Sequence, residues 1–244
     1  SRASRVDEAL ELLKRYRALV ATDSEENLRV KKEWNTTVVR NESLALFFKY
    51  QALHDRKFLV QALTLIEEAI AAEPEEVDYR IDKAAIFYAM QRFSDCYSLL
   101  MDALKTSPDN PLVHRHLGAV LMAMAKFDES ESYLKKAVQG NPSDAYAYLG
   151  LGNLYKMQGK LEEAERVIQE AVRVSPNLAE AHNNLAWLYA TSSDPKFIKP
   201  DLAITHATKA NELTDYKNPD WRDTLAQAYA AKGDFAKAIE IEKI

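Results

Sequence analysis

The chain is poor in the residues that carry special chemistry. Cys96 is its one cysteine, which excludes an intramolecular disulfide framework and assigns no compartment. Its five histidines, His54, His114, His116, His182 and His206, form no Cys/His cluster at zinc spacing. His114 and His116 are two residues apart, so on a helix they point to different sides, and we expect groove or surface positions for the five. No Gly-rich phosphate loop, nucleophile elbow or strand-turn-helix signature is present. The expectation is therefore a non-enzymatic chain with no catalytic residue, no metal and no cofactor.

Six glycines and eight prolines are too few for long loops. The most apolar stretch, Leu117 to Ala125, is far too short to cross a bilayer, and no secretory apolar region opens the chain. The net charge of −5 arises from signs interspersed along the whole length. That leaves neither a basic stripe for nucleic acid nor a like-charge block of the kind found in disordered tails. A first residue Ser1 and a last helix that stops at Ile244 read as a piece of a longer protein, which keeps localisation open.

The prolines are few but regularly placed. Pro74, Pro108, Pro142 and Pro176 stand 34 residues apart (108 − 74, 142 − 108, 176 − 142). A fixed period of that length marks stacked helical hairpins, each unable to bury its apolar face alone. In the unit ending at Pro176, apolar residues recur at three and four positions, predicting helices over 146–158 and 161–174. Gly152 and Ala164 are expected where the two helices cross closely, Ala171 against the next hairpin, and Gly159 in the tight turn. The same frame carries Leu117-Gly118, Leu134 and Ala137 one unit earlier. Before that come Ala84, Cys96 and Ala103, and earlier still Leu46, Ala62 and Ala69. Cys96 takes the slot of Ala164, so a small buried core residue is expected rather than a reactive thiol.

Going forward, Leu185-Ala186 and Tyr189 open another hairpin whose second helix carries Ala203 and Ala210. Since 210 − 171 is 39, five residues are inserted, within 192–200. A last hairpin begins at Leu225-Ala226. The predicted units are 43–76, 77–110, 111–144, 145–178, 179–217 and a shortened 219–244. Residues 1–42 read as a degenerate capping hairpin, with an amphipathic helix over 6–20 (Val6, Leu10, Leu13, Val20) and a partner over 26–39 carrying Trp34 and Val38. The apolar face around Leu225, Ala228, Ile239 and Ile241 is expected to lie uncovered.

The run Tyr148, Leu151-Gly152, Tyr155, Ala164, Ile168, Ala171 and Pro176, echoed by His182, Leu185-Ala186 and Tyr189, resembles the tetratricopeptide repeat. The likeness is clear over 43–244. It implies an all-α fold, an α-solenoid superhelix of antiparallel helix pairs, in which the first helix of each pair lines a concave groove holding a peptide or helix of a partner protein. Carried onto this chain, the principal groove candidates are Arg115, His116, Met122, Tyr146, Asn153, Lys156, Asn183, Asn184 and Trp187. Further candidates on first helices are Phe47, Gln51, His54, Asp78, Ile81, Asp82, Tyr88, Ala119, Leu149, Glu180, Asp220, Asp223 and Gln227.

One subgroup of that family clamps a terminal carboxylate with paired Asn and basic residues. Asn153 and Asn184 match the Asn positions, but Leu149, Asp220 and Thr224 stand where cations are needed, and a carboxylate would lose its charge-assisted bonds. The two amides either hydrogen-bond an extended ligand backbone or are simply solvated. Tyr146, Trp187 and Tyr88 read equally as ligand contacts and as packing between hairpins.

The segment Lys32-Glu33-Trp34-Asn35-Thr36-Thr37-Val38 also resembles a junction in membrane glycosyltransferase-like proteins with a tetratricopeptide tail. The leading expectation is a protein-interaction scaffold with a protein or peptide partner, no nucleic acid and no membrane insertion within this piece. The alternatives are an extracytoplasmic docking tail of such a membrane protein, and a scaffold that self-assembles through its solenoid ends.

Overall fold

Between the prolines and tight turns nothing interrupts the helical period, and helices fill the intervals. The computed structural model describes the backbone of residues 2–22 and 28–243 and the side chains of 6–18 and 35–243. Among the described residues every long element is a helix: α1 (Arg2–Thr22), α2 (Leu28–Leu53), α3 (Lys57–Ala72), α4 (Val77–Ala89), α5 (Phe93–Thr106), α6 (Pro111–Ala123), α7 (Phe127–Gly140), α8 (Ala145–Met157), α9 (Leu161–Val174), α10 (Ala179–Thr191), α11 (Pro200–Glu212), α12 (Pro219–Lys232) and α13 (Phe235–Glu242). The helices expected over 146–158 and 161–174 thus fall at α8 and α9. No helix among the described residues is long and apolar enough to cross a membrane.

The chain divides into two compact units, Ser1–Ala125 and Lys126–Ile244. In the first, α1 packs on α2, and α2 to α6 each pack on the next, while α4 also touches α2 and α6. Its core gathers Val39, Leu59, Ala62, Ile66, Ala69, Tyr79 and Ile86. In the second, α7 to α13 pack in sequence, and α10 also touches α12. Leu149, Ile168, Ala171, Leu185, Leu188, Tyr189, Ala203 and Ala228 share one core there. A helix that touches both the next helix and the one after is the contact pattern of a solenoid.

At the N-terminus the chain differs from expectation. Instead of a break near residue 42, α2 runs unbroken from Leu28 to Leu53. The reason lies in composition: no Gly or Pro occurs between Leu28 and Leu53 to end it. The helix therefore packs on α1 with one part and on α3 with another. Leu10 is buried, Arg17 pairs with Glu42 at 3.3 Å and with Glu68, and Lys49 pairs with Asp7. Glu26 and the side chains of Val20 and Trp34 lie outside the described residues.

Four of the turns inside the hairpins use one backbone device. Gln91, Ala125, Gly159 and Gly233 all take left-handed φ values of 61, 59, 72 and 87°. Around three of them the bonds are those of a helix-ending Schellman turn: Arg92 N–H to Phe87 C=O, Lys160 N–H to Tyr155 C=O and Asp234 N–H to Tyr229 C=O. The turn is thus glycine-shaped even where glycine is missing. Three of the links between hairpins, those before α6, α8 and α12, use side-chain caps instead. Asn110, Asp144 and Asn218 each accept from backbone N–H groups of the helix that follows.

Close approach also needs small residues. A Cβ on Gly152 would come within 2.4 Å of Ile168 Cγ1, so the near partner is Ile168 rather than Ala164. Ala164 is itself fully buried. Cys96 is buried too, its thiol donates to Ala84 C=O at 3.2 Å, and burial pushes it up to about 12. The C-terminal face is covered more than expected. Leu225 and Ile241 are buried where α13 folds back on α12, and Ala228 is buried in the core around Leu185 and Ala203, leaving Ile239 and Phe235 exposed.

Two stability predictions follow from these contacts. Gly152→Ala forces Ile168 aside and lowers stability by about 1–2 kcal/mol, despite the helix-propensity gain. Gly150→Ala meets only the end of Leu134, 2.7 Å away at Cδ2, and is close to neutral. Ala125→Gly relieves the left-handed penalty and raises stability by about 0.5–1 kcal/mol, while Gly159→Ala lowers it by a similar amount. Urea titrations of the four variants check both pairs.

Candidate ligand groove

In the second unit, one stripe of α8 and one stripe of α10 face each other across an open groove of about 770 Å³. From α8 come Asn153, Lys156 and Met157, spaced by three and four residues, so they share a face. From α10 come Asn183, Asn184, Trp187, Leu188 and Thr191 at the same spacing. Gly159, Leu161, Ser192 and Ser193 close one end.

The polar groups form a directed chain. Lys156 Nζ donates to Asn184 Oδ1 at 3.2 Å, and the Asn184 amide donates to Asn153 Oδ1 at 3.4 Å. A lysine can only donate, so the orientation of both amides is determined. Asn153 keeps its own NH₂ uncommitted among the described residues. The Lys156 ammonium also lies 5.4 Å from the centre of the Trp187 ring, in cation–π range. Trp187 stays 44% exposed and Met157 60%, so both present apolar surface to an incoming ligand. Desolvation holds the Lys156 amine below its ordinary range, with the field of Glu180 acting against that shift.

The insert after α10 is pinned beside this groove. A single 3-10 turn at Pro195–Phe197 buries Phe197, and Asp194 Oδ1 accepts from Lys196 N–H. Lys199 N–H donates to Tyr189 C=O at 3.0 Å, and Lys199 Nζ reaches Glu165 at 2.6 Å. Glu165 also accepts from the Tyr189 hydroxyl at 2.8 Å. Burial first, and then the Glu165 carboxylate, push that phenol up to about 12. These bonds hold the segment that carries Ser192 and Ser193.

Of the nine principal sequence candidates, the structure brings Asn153, Lys156, Asn183, Asn184 and Trp187 to this groove. Tyr146 is exposed at the start of α8 and lies outside it. Arg115, His116 and Met122 are half-buried on α6, in the first unit. Two further candidates, Leu149 and Ile81, are buried core residues at 2% and 6% exposure, because their positions turn inward from the open face. Asp82 is engaged by Arg40 at 2.6 Å, and Asp78 by the same guanidinium at 3.7 Å. Sequence reasoning missed the buried Leu188 and also Met157, Leu161, Thr191, Ser192 and Ser193. The last five sit at helix ends and in the insert, where the 34-residue register no longer applies.

Two histidines expected at groove or surface are buried instead: His114 and His182. His182 Nε2 lies 3.0 Å from Pro176 C=O, so it carries the proton and donates there. Its Nδ1, 2.9 Å from His206 Nδ1, must then accept from His206. Burial, with His182 alongside, lowers His206 to about 4, and burial beside Arg115 lowers His116 to about 4. Among the described residues no three His, Cys, Asp or Glu side chains converge as a metal site requires.

A family model described as tetratricopeptide repeat matches residues 121–188. No curated protein sequence matches the chain. Among solved structures, the chain is similar to PilW, described as a widely conserved type IV pilus biogenesis factor, at 19% identity and a TM-score of 0.68. That match covers 85% of this chain and 90% of PilW. It is also similar to TTC0263, a thermophilic tetratricopeptide-repeat protein of Thermus thermophilus. The identity there is 23% and the TM-score 0.56, over 68% of this chain and 88% of that one. YrrB, described as a tetratricopeptide-repeat protein with an unusual peptide-binding site, matches at 19% identity and a TM-score of 0.52, over 72% and 88%. At such identities the likeness is one of fold.

The half-buried His116 and His206 set an acid limit on stability. A folded-state pKa near 4 against an ordinary 6.5 means the unfolded chain binds protons first as pH falls. The stabilisation is whole above 6.5 and drains away between 6.5 and 4, by on the order of 3 kcal/mol per histidine at most. Urea midpoints measured from pH 7.5 to 4.5 are expected to fall through this window, and His206→Gln to flatten the slope.

Proposed function

We propose that this chain, a tetratricopeptide-repeat protein, works as a non-catalytic scaffold that holds an extended segment of a protein partner in the α8–α10 groove. Proteins of this family are protein-interaction scaffolds, and the fold likeness supports the same broad role here. The observation that carries the finer reading is the Lys156–Asn184–Asn153 chain beside the exposed Trp187 ring.

An asparagine side chain has one donor group and one acceptor, the same pair that a peptide unit displays. Two such amides, locked in orientation, match the backbone of an extended segment, whose N–H and C=O groups are free. A helix satisfies its backbone internally and offers them nothing. Trp187 and Met157 add apolar anchoring, and Trp is a frequent energetic centre of interfaces. YrrB, by its description, has a peptide-binding site on the same fold, which supports a peptide ligand as the class.

The test is capture of partners from lysate and from membrane extract, with the Asn153→Ala/Asn184→Ala/Trp187→Ala variant as control. We expect a specific partner whose recovery falls about tenfold or more with the variant, at unchanged helicity by circular dichroism. A partner recovered equally by both proteins would move the binding surface away from this groove.

A further inference from the structure

The groove carries a charge preference, and this inference rests on the groove reading above. Lys156 is the one charged residue among its lining residues, which otherwise supply amides, hydroxyls and apolar surface. In the same unit Lys160, Lys196 and Lys199 each pair with a carboxylate: Glu131, Glu162 and Glu165. Among the described residues Lys156 makes no ion pair: it contacts the neutral Asn184 amide oxygen and the Trp187 ring face, and the field of Glu180 offsets its desolvation only in part. Its ammonium has three protons, and one amide bond leaves donor capacity to spare. Desolvation makes that unpaired charge costly, and the ordinary remedy for a poorly solvated cation is an anion.

The placement of the other polar groups decides which kind of anion. Lys156 Nζ meets α10 at Asn184 and the Trp187 ring; along α10 Asn183 precedes these and Thr191, Ser192 and Ser193 follow Trp187 by a turn or more, while Asn153 lies one turn before Lys156 on α8. A ligand using both sets must continue past the charge in both directions. A free chain terminus would use one set only. Nor does a second cation converge from the position one turn before Asn153, where Leu149 is buried. The apolar contacts, Trp187 and Met157, lie within a turn of Lys156 on either helix.

We propose that the groove selects an internal Asp or Glu side chain of an extended partner segment, with its carboxylate on Lys156 Nζ and an adjacent aromatic or aliphatic side chain against Trp187 and Met157. A net charge of −5 for the whole chain repels acidic segments elsewhere, so a local cation adds discrimination as well as attraction.

The probe is a set of fluorescein-labelled, C-amidated dodecapeptides on a Ser/Thr background. Each holds one Glu at an offset of −2 to +2 from one Phe or Leu, with a Gln twin and a Lys twin. One further peptide has a free C-terminal carboxylate and no internal acid. Anisotropy is read with the full chain and with Lys156→Met, Lys156→Glu, Asn184→Ala and Trp187→Ala, each checked by circular dichroism and urea midpoint.

The best Glu peptide is expected to bind about tenfold tighter than its Gln twin, and less so in high salt. Lys156→Met removes that margin, and Lys156→Glu moves the preference to the Lys twin. A margin that survives Lys156→Met, or Gln and Glu twins of equal affinity, overturns the charge preference; loss of binding in Trp187→Ala would then still uphold the groove. Tight binding indifferent to both Trp187→Ala and Asn184→Ala overturns the groove reading itself. A preference for the free terminal carboxylate overturns the internal placement, and absence of binding across the whole set overturns the proposal.

Discussion

Close approach of helices is the condition on which the rest of this structure rests. A helix pair of about thirty residues has too little apolar surface to stand alone. It becomes stable only where its neighbours come near enough to share side chains. In each unit the contact points are residues with almost no side chain: Ala62, Ala69, Ala84, Cys96 and Ala103 in the first, and Ala137, Ala164, Ala171, Ala203 and Ala210 in the second, all at 0 or 1% exposure. Larger residues, such as Ile66, Leu100, Leu134 and Ile168, fill the space between them. Gly152 marks the limiting case, where even a methyl group collides.

Because that condition is met by side-chain size at fixed intervals, much of the fold could be read from the chain itself. Pro and Gly bracket α8 and α9 on each side, and their ends fall within a residue of the expected positions. The insert shows in the chain as a lengthened period, and a 3-10 turn forms within it. Where punctuation is missing, legibility fails. Nothing in 28–53 signals that one helix serves two neighbours, because absence of a breaker looks the same whether a helix is long or two helices adjoin. The buried state of His182 was equally hidden. It depends on the carbonyl of Pro176 and on the ring of His206, and no local pattern shows either.

The groove was legible in part, for a similar reason. Asn153, Asn183, Asn184 and Trp187 lie on first helices in the repeat register, so the family's geometry points to them. Ser192 and Ser193 belong to the stretch where the register slips, and their place depends on the bonds from Lys199 to Tyr189 and Glu165. Leu149 shows the converse error. It has the right register for a groove residue, yet its side chain is drawn into the core with Ile168 and Leu185.

The bonds from Lys156 to Asn184 to Asn153 have one more property. Protons are offered in a single sense along them, so the row has a head and a tail. Two strands of identical composition, threaded in opposite senses, would present their N–H and C=O groups in reversed order to such a row. A symmetric patch of hydroxyls would be blind to this. Three side chains on two helices therefore give the cleft a sense of reading, as a word differs from its own reversal.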